Sequence, residues 1–254
     1  MSITRRNHGR GHSYRIDGEK VPGVTTILGA TLPKPALIEW AGKTTAGYAV
    51  DYWEDLADLP PSKRLDRLNR ARFEDRDAAA NRGTEVHALA ERHMAGDEVE
   101  IPDELEGHFR AYESFLAEWR PVATAVELVV GHRTMGYCGT VDVVADLADN
   151  NRWLLDYKTS RSGIFPETAL QGCAYRRAEV FLDNDGQEHD MAELGIERVG
   201  GLHLRADGTF DLYPLATDDD VWAYFRHLAW LYRQQDAMAE WVGTAARAPR
   251  TVDA

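Results

Sequence analysis

The chain has 254 residues, 44% of them hydrophobic, enough to fill a core and to exclude intrinsic disorder as its main state. Its two cysteines, Cys138 and Cys173, exclude a disulfide scaffold, a four-cysteine zinc site and a four-cysteine iron–sulfur cluster. A net charge of −13 argues against coating nucleic acid by bulk attraction, because such binding rests on neutralising phosphates.

That charge is unevenly spread. Residues 1–20 carry Arg5, Arg6, Arg10, Arg15 and Lys20 against two acids, and residues 63–82 carry seven bases against four acids. Residues 183–197 hold six acids and no base. A polyanionic partner is therefore expected to meet the first half of the chain. No apolar stretch reaches the roughly 18 to 20 residues that span a bilayer, and no apolar segment follows the N-terminal bases. A cytoplasmic protein without a membrane partner is the expectation.

In chain order, Asp17-Gly18 between Tyr14–Ile16 and the β-branched run Val24–Ile27 predicts a hairpin. Pro35 to about Leu59 reads as helical until Pro60-Pro61. Ser62 is placed to cap a second helix carrying Arg64, Arg67 and Arg70 on a solvated surface, and Gly83 is expected to break it. A third helix is predicted from Thr84 to Met94 and a fourth from Pro102 to Trp119, ended by Pro121. Three strands follow, Ala123–Gly131, Cys138–Leu147 and Trp153–Thr159, as an antiparallel meander with turns at Gly136 and Asp149-Asn150-Asn151. A helix over 166–182, strands at 198–204 and 210–213, and a last helix opened by a Thr217–Asp220 capping box complete the pattern. The division expected is an N-terminal hairpin and helical region over 1–82, a core over 83–242 and a frayed tail over 243–254, within one α/β domain.

Four stretches carry candidate chemistry. In Leu154-Leu155-Asp156-Tyr157-Lys158-Thr159, alternation puts Asp156 and Lys158 on one face of a strand. A carboxylate there can hold a divalent cation, and the ammonium can orient water and offset charge on a phosphate ester. The plain alternative is an ion pair on a solvated strand. Asp142 is the one charge in Gly139-Thr140-Val141-Asp142-Val143-Val144, costly on a buried face unless paired or bound to metal, and harmless on an exposed edge. His87 and Glu91 lie one helical turn apart, as a metal ligand and its orienting partner or as ordinary helix surface. With His93 they also suggest a zinc site, though the HExxH spacing is absent. Gln171 and Tyr175 form a further one-turn pair, by itself indistinguishable from surface.

Taken in order, GTEVHALAE, GTVDVV, LLDYKTS and ALQGCAYRRA resemble the PD-(D/E)xK nuclease superfamily, in its RecB-type branch of CRISPR-associated and phage exonucleases. VPGVTTIL and LPKPALIEWA extend the resemblance more weakly to about residue 50. The resemblance implies a mixed central sheet flanked by helices. It also implies Mg²⁺ or Mn²⁺ held by His87, Asp142, Asp156 and the main-chain carbonyl of Tyr157, with Lys158 as the catalytic lysine. Gln171 and Tyr175 fall on the substrate side, and Glu91 behind His87. The implied substrate is DNA, most readily at a free end, in phage or mobile-element recombination or repair, where a recombination protein is a possible partner. The four-cysteine cluster of many CRISPR-associated relatives is not implied. An inactive nuclease fold that binds DNA ends is the alternative.

Overall fold

A computed structural model describes residues 2–8, 11–94 and 96–246. Arg10 and residues 247–254 of the expected frayed tail lie outside the described residues, as does the side chain of Arg76. The fold is mixed α/β, with a seven-stranded mixed sheet flanked by helices, as expected.

Three short strands, β1 (Ile3–His8), β2 (Gly11–Ile16) and β3 (Glu19–Val21), form an antiparallel sheet of their own. Ile3, Tyr14 and Ile16 bury one face of it against Cys138 of the main sheet. The β-branched run that follows is not a strand but helix α1 (Val24–Thr31). Val24, Ile27 and Leu28 recur at helical spacing and are all buried, so packing on the sheet overrides their β propensity. Helices α2 (Pro35–Asp51) and α3 (Trp53–Ala57) lead into α4 (Pro61–Met94).

The break expected at Gly83 does not occur, because α4 runs through it for 34 residues. A glycine inside a helix costs about 1 kcal/mol relative to alanine. A Cβ at Gly83 would lie 3.4 Å from Thr159 Oγ1, an ordinary contact, which places this turn of α4 against the chain just after Lys158. Ser62 lies inside α4 rather than capping it, since Pro61 takes the first position and the Pro60 carbonyl accepts from Arg64 N–H. α5 (Glu106–Trp119) follows a short 3-10 turn and ends where Arg120 turns left-handed before Pro121.

The expected meander is present as β4 (Val122–His132), β5 (Tyr137–Asp146) and β6 (Arg152–Lys158). α6 (Glu167–Arg176) is shorter than predicted. Val180–Leu182 instead forms β7, which pairs with the free edge of β4 and then with β8 (Glu188–Asp190). The chain returns as β9 (Arg198–Leu204), parallel to β6, then β10 (Phe210–Pro214), giving the order β10-β9-β6-β5-β4-β7-β8. α7 (Asp219–Met238) is capped by Asp218, whose carboxylate accepts from the Asp220 and Val221 N–H groups. Thr217, the cap expected from sequence, accepts from Arg176 instead.

One face of the sheet packs on α1, α6 and α7, the other on α4 and α5. Leu154 belongs to the first face and Leu155 and Tyr157 to the second, so Asp156 and Lys158, which share the parity of Leu154, point toward α6. Among the described residues no helix is long and apolar enough to cross a membrane.

Candidate active site

The paired register of β5 and β6 runs from Asp146–Arg152 to Val143–Leu155 and stops there, while β6 continues along β9 as far as Lys158–His203. The strands therefore part at Asp142 and Asp156. In place of a ladder bond, Asp142 Oδ2 accepts the Tyr157 N–H at 2.6 Å. Its other oxygen lies 3.2 Å from His87 Nδ1, and His87 Nε2 donates to the Tyr157 carbonyl at 3.0 Å. One imidazole from α4 thus bridges a carboxylate of β5 and a carbonyl of β6. It is Asp142, not Glu91, that orients His87; Glu91 sits one turn along at the exposed lip of the same cleft.

Asp156 lies on the α6 side and is 3% exposed. Its Oδ1 accepts from Gln171 Nε2 at 2.6 Å, and Gln171 Oε1 accepts from Lys158 Nζ at 3.2 Å. Lys158 Nζ also pairs with Asp156 Oδ2, so each oxygen of the buried carboxylate faces a donor. The solvated-strand alternative is overturned by this burial. So is the surface reading of Gln171 and Tyr175, since both are buried and Gln171 Nε2 also donates to Tyr175 Oη at 3.1 Å. The edge of the Tyr175 ring lies against Gly139, where a Cβ would come 2.2 Å from Cε1, so glycine is required for this approach.

Burial alone would lower the His87 imidazole, but the Asp142 carboxylate outweighs it and raises the pKa to about 9. Burial likewise opposes charge on Asp142, yet the His87 imidazolium, the Tyr157 N–H and Lys158 hold its carboxyl below the usual range. Burial pushes Asp156 up against the pull of Lys158, and the charge of Asp142 adds to the push. Lys158 is held protonated, because Asp156 outweighs the burial that would lower it. The cluster is thus two carboxylates matched by two cations.

These shifts make stability depend on pH when the protein is held in chelator. The His87 contribution is complete below about 6.5 and lost as pH rises through about 9, since the folded pKa exceeds the unfolded one. The depressed Asp142 contributes above its unfolded value near 4 and is lost in acid. Thermal melts are expected to decline between pH 6.5 and 9, and to decline less over that range in Asp142→Asn, which leaves only other raised groups such as His189 beside Asp183.

These residues fit a divalent cation in that an Asp142 oxygen and the Tyr157 carbonyl already converge on a positive group, and the buried Asp156 carboxylate is close enough for the Asp142 charge to raise it. Among the described residues, however, no three His, Cys, Asp or Glu side chains are gathered around one point. His93 packs edge-on to Phe109 and Tyr112, in the aromatic core, so it does not join His87 and Glu91 in a zinc site.

His87, Asp142 and Tyr175 line a cleft of about 490 Å³, in the size range of sites that take small ligands, whereas Asp156, Lys158 and Gln171 lie behind that lining. The far wall of the cleft is the N-terminal sheet, where Tyr14 Oη bonds Thr140 Oγ1 at 2.8 Å and Arg5 Nη1 pairs with Glu127 Oε2 at 2.8 Å. Sequence reasoning missed Glu127. It is the lone acid in Ala125-Val126-Glu127-Leu128-Val129-Val130, the same signal that singled out Asp142, and it falls opposite Asp142 between the Val126–Val143 and Leu128–Val141 pairs.

The three arginines expected to meet DNA are not equivalent. Arg64 caps the C-terminal end of α3, donating to the carbonyls of Leu56 at 2.8 Å, Ala57 at 3.0 Å and Leu59 at 3.2 Å. Arg67 is exposed and donates to Tyr48 Oη at 3.2 Å. Arg70 is exposed on the same helix.

No protein-family model and no curated protein matches the sequence. Among solved structures, the chain is similar to the alkaline exonuclease LHK-Exo from Laribacter hongkongensis, with 16% identity and a TM-score of 0.36 over 62% of this chain and 81% of that one. LHK-Exo in complex with dAMP aligns with 13% identity and a TM-score of 0.31 over 62% and 82%. The protein SSO0001 aligns with 10% identity and a TM-score of 0.31 over 85% and 84%. Likeness of this degree decides nothing about activity, for which the residues of this chain must speak.

Proposed function

We propose that the chain is a Mg²⁺- or Mn²⁺-dependent deoxyribonuclease that hydrolyses phosphodiester bonds, working from DNA ends in a phage or mobile-element setting. The observation that carries this reading is the meeting of His87, Asp142, the Tyr157 carbonyl, and the buried Asp156–Lys158 pair where β5 and β6 part. Asp142, Asp156 and the Tyr157 carbonyl would hold the cation, and His87 would join them on giving up the ring proton that Asp142 and the Tyr157 carbonyl now hold. Bound there, it would supply positive charge against the phosphoryl oxygens as the in-line displacement proceeds.

The chain's own groups do the rest. Lys158, kept protonated by Asp156 and aimed by Gln171, donates a hydrogen bond that orients the attacking water and offsets negative charge on the phosphate. Gln171 bridges Asp156 and Lys158, and Tyr175 backs Gln171 from the adjacent turn. The preference for ends and the phage setting are supported by the four motifs in their order.

End-labelled linear DNA and closed circular duplex, each incubated with Mg²⁺ or Mn²⁺ and with chelator, test the reading. Cation-dependent loss of linear DNA with circles spared is expected. Linearisation of circles would mark an endonuclease, and inertness toward both would reject the nuclease reading.

Arg67 and Arg70 are exposed on α4. Neutralising both is expected to lower DNA affinity and flatten its log–log salt dependence by roughly 0.7 to 0.9 for each phosphate no longer neutralised. Arg64→Gln should instead lower the melting temperature by removing the caps on α3. An unchanged slope in the Arg67/Arg70 variant would place the phosphate-binding surface elsewhere.

A further inference from the structure

We propose that Arg5 of the N-terminal sheet grips a backbone phosphate of the bound nucleic acid, and that Glu127 holds its guanidinium in place across the cleft; this rests on the nuclease reading above. Arg5 is the one arginine or lysine among the described residues lining the cleft, whose opposite side carries Glu91, Glu127 and Asp142. A phosphate entering beside those carboxylates needs a fixed positive charge to meet it. His12, the neighbouring wall residue, is lowered by burial and by Arg5 itself, so it adds little charge.

The arm that carries Arg5 is seated rather than loose. Ile3, Tyr14 and Ile16 are buried against the main sheet, and the Tyr14–Thr140 bond fastens β2 two residues from Asp142. Glu127 has a left-handed backbone, φ 49°, inside an otherwise extended strand. For a residue other than glycine that conformation costs on the order of 1 kcal/mol or more, a cost met where it aims a functional side chain. Here it goes with a carboxylate 122 residues from Arg5 in sequence that grips one end of its fork.

One terminal nitrogen of the Arg5 guanidinium, Nη1, donates to Glu127, and the side chain keeps 24% of its surface exposed where it lines the cleft. The planar fork suits phosphate, and Glu127, by taking one terminal nitrogen, fixes the orientation of the rest.

The test is binding of a fluorescein-labelled single-stranded oligonucleotide in chelator, across a salt series, to wild type, Arg5→Gln, Arg5→Lys and Glu127→Gln, with a melt of each. Arg5→Gln is expected to bind about tenfold more weakly with a salt slope shallower by about 0.7. Glu127→Gln, which loosens the guanidinium without removing it, should bind more weakly than wild type and less weakly than Arg5→Gln; affinity at or above wild type would remove Glu127 from positioning Arg5. A wild-type slope in Arg5→Gln overturns the proposal. Matching losses of melting temperature in Arg5→Gln and Glu127→Gln with no change of slope in either would mark the pair as a fold clip. If Arg5→Gln does not fold, Arg5→Lys decides: a wild-type slope with reduced affinity supports the proposal, and unchanged affinity overturns it. Cleavage is scored separately with Mn²⁺. A wild type that binds but never cuts rejects the nuclease reading and leaves Arg5 to be judged by the slope, and a wild type that does not bind overturns the Arg5 proposal.

Discussion

Lys158→Met is expected to slow single-turnover cleavage by about 10²- to 10³-fold, the usual cost of losing one donor that meets charge as it develops. Binding of DNA and of Mn²⁺ should survive, since the ammonium is not a cation ligand. The structure adds a stability effect. On an exposed strand the Asp156–Lys158 pair would contribute about 0 to 1 kcal/mol. Here Asp156 is buried, and removing its cation strands a carboxylate with only Gln171 to satisfy it. Breaking a fully buried pair costs about 3 to 5 kcal/mol, and with Lys158 partly exposed and Gln171 still in place about 1 to 3 is expected. Adding Asp156→Asn should restore much of that stability and none of the cleavage. A Lys158→Met rate within a few-fold of wild type would reject the mechanism at its central step.

Asp142→Asn is expected to abolish cleavage and to weaken Mn²⁺ binding while the fold persists. The amide oxygen still accepts the Tyr157 N–H, so the parting of β5 and β6 keeps its fastening. What it loses is the charge that holds His87 protonated. Without that carboxylate, burial dominates and the imidazole should titrate far below its wild-type value near 9, which NMR of the His87 ring would follow. Unchanged Mn²⁺ affinity, or wild-type cleavage, would remove Asp142 from the cation site.

The β4–β6 meander is legible in the sequence because its alternation, its turns and its two lone acids are all local signals, and Asp142, Asp156 and Lys158 are found through them. Other features depend on partners distant in sequence. Val24–Ile27 has strand-forming residues, but only the sheet surface it lands on makes it a helix. Gly83 looks like a break until Thr159 is seen opposite it. The pairing of Val180–Leu182 with β4 turns the end of a predicted helix into a strand.

The site divides in the same way. His87 can be named from its helix, but its partners Asp142 and Tyr157 lie 55 and 70 residues away, so Glu91 looks the nearer choice. Gln171 and Tyr175 read as surface because nothing local shows that α6 lies against Asp156. Arg64 carries the charge of a DNA-binding residue, yet the carbonyls it caps belong to the preceding helix. Glu127 is within reach of sequence reasoning, as a lone acid in an apolar run of β4.

The most direct test of the cation-dependent site is to titrate Mn²⁺ into the wild-type protein and into Asp142→Asn, recording bound Mn²⁺ by electron paramagnetic resonance and single-turnover cleavage of linear DNA in the same samples. Cleavage should be absent in chelator, rise with site occupancy in the wild type, and stay absent in the variant as its occupancy falls. Cleavage that persists in chelator, or full occupancy of the wild type without cleavage, would contradict the account.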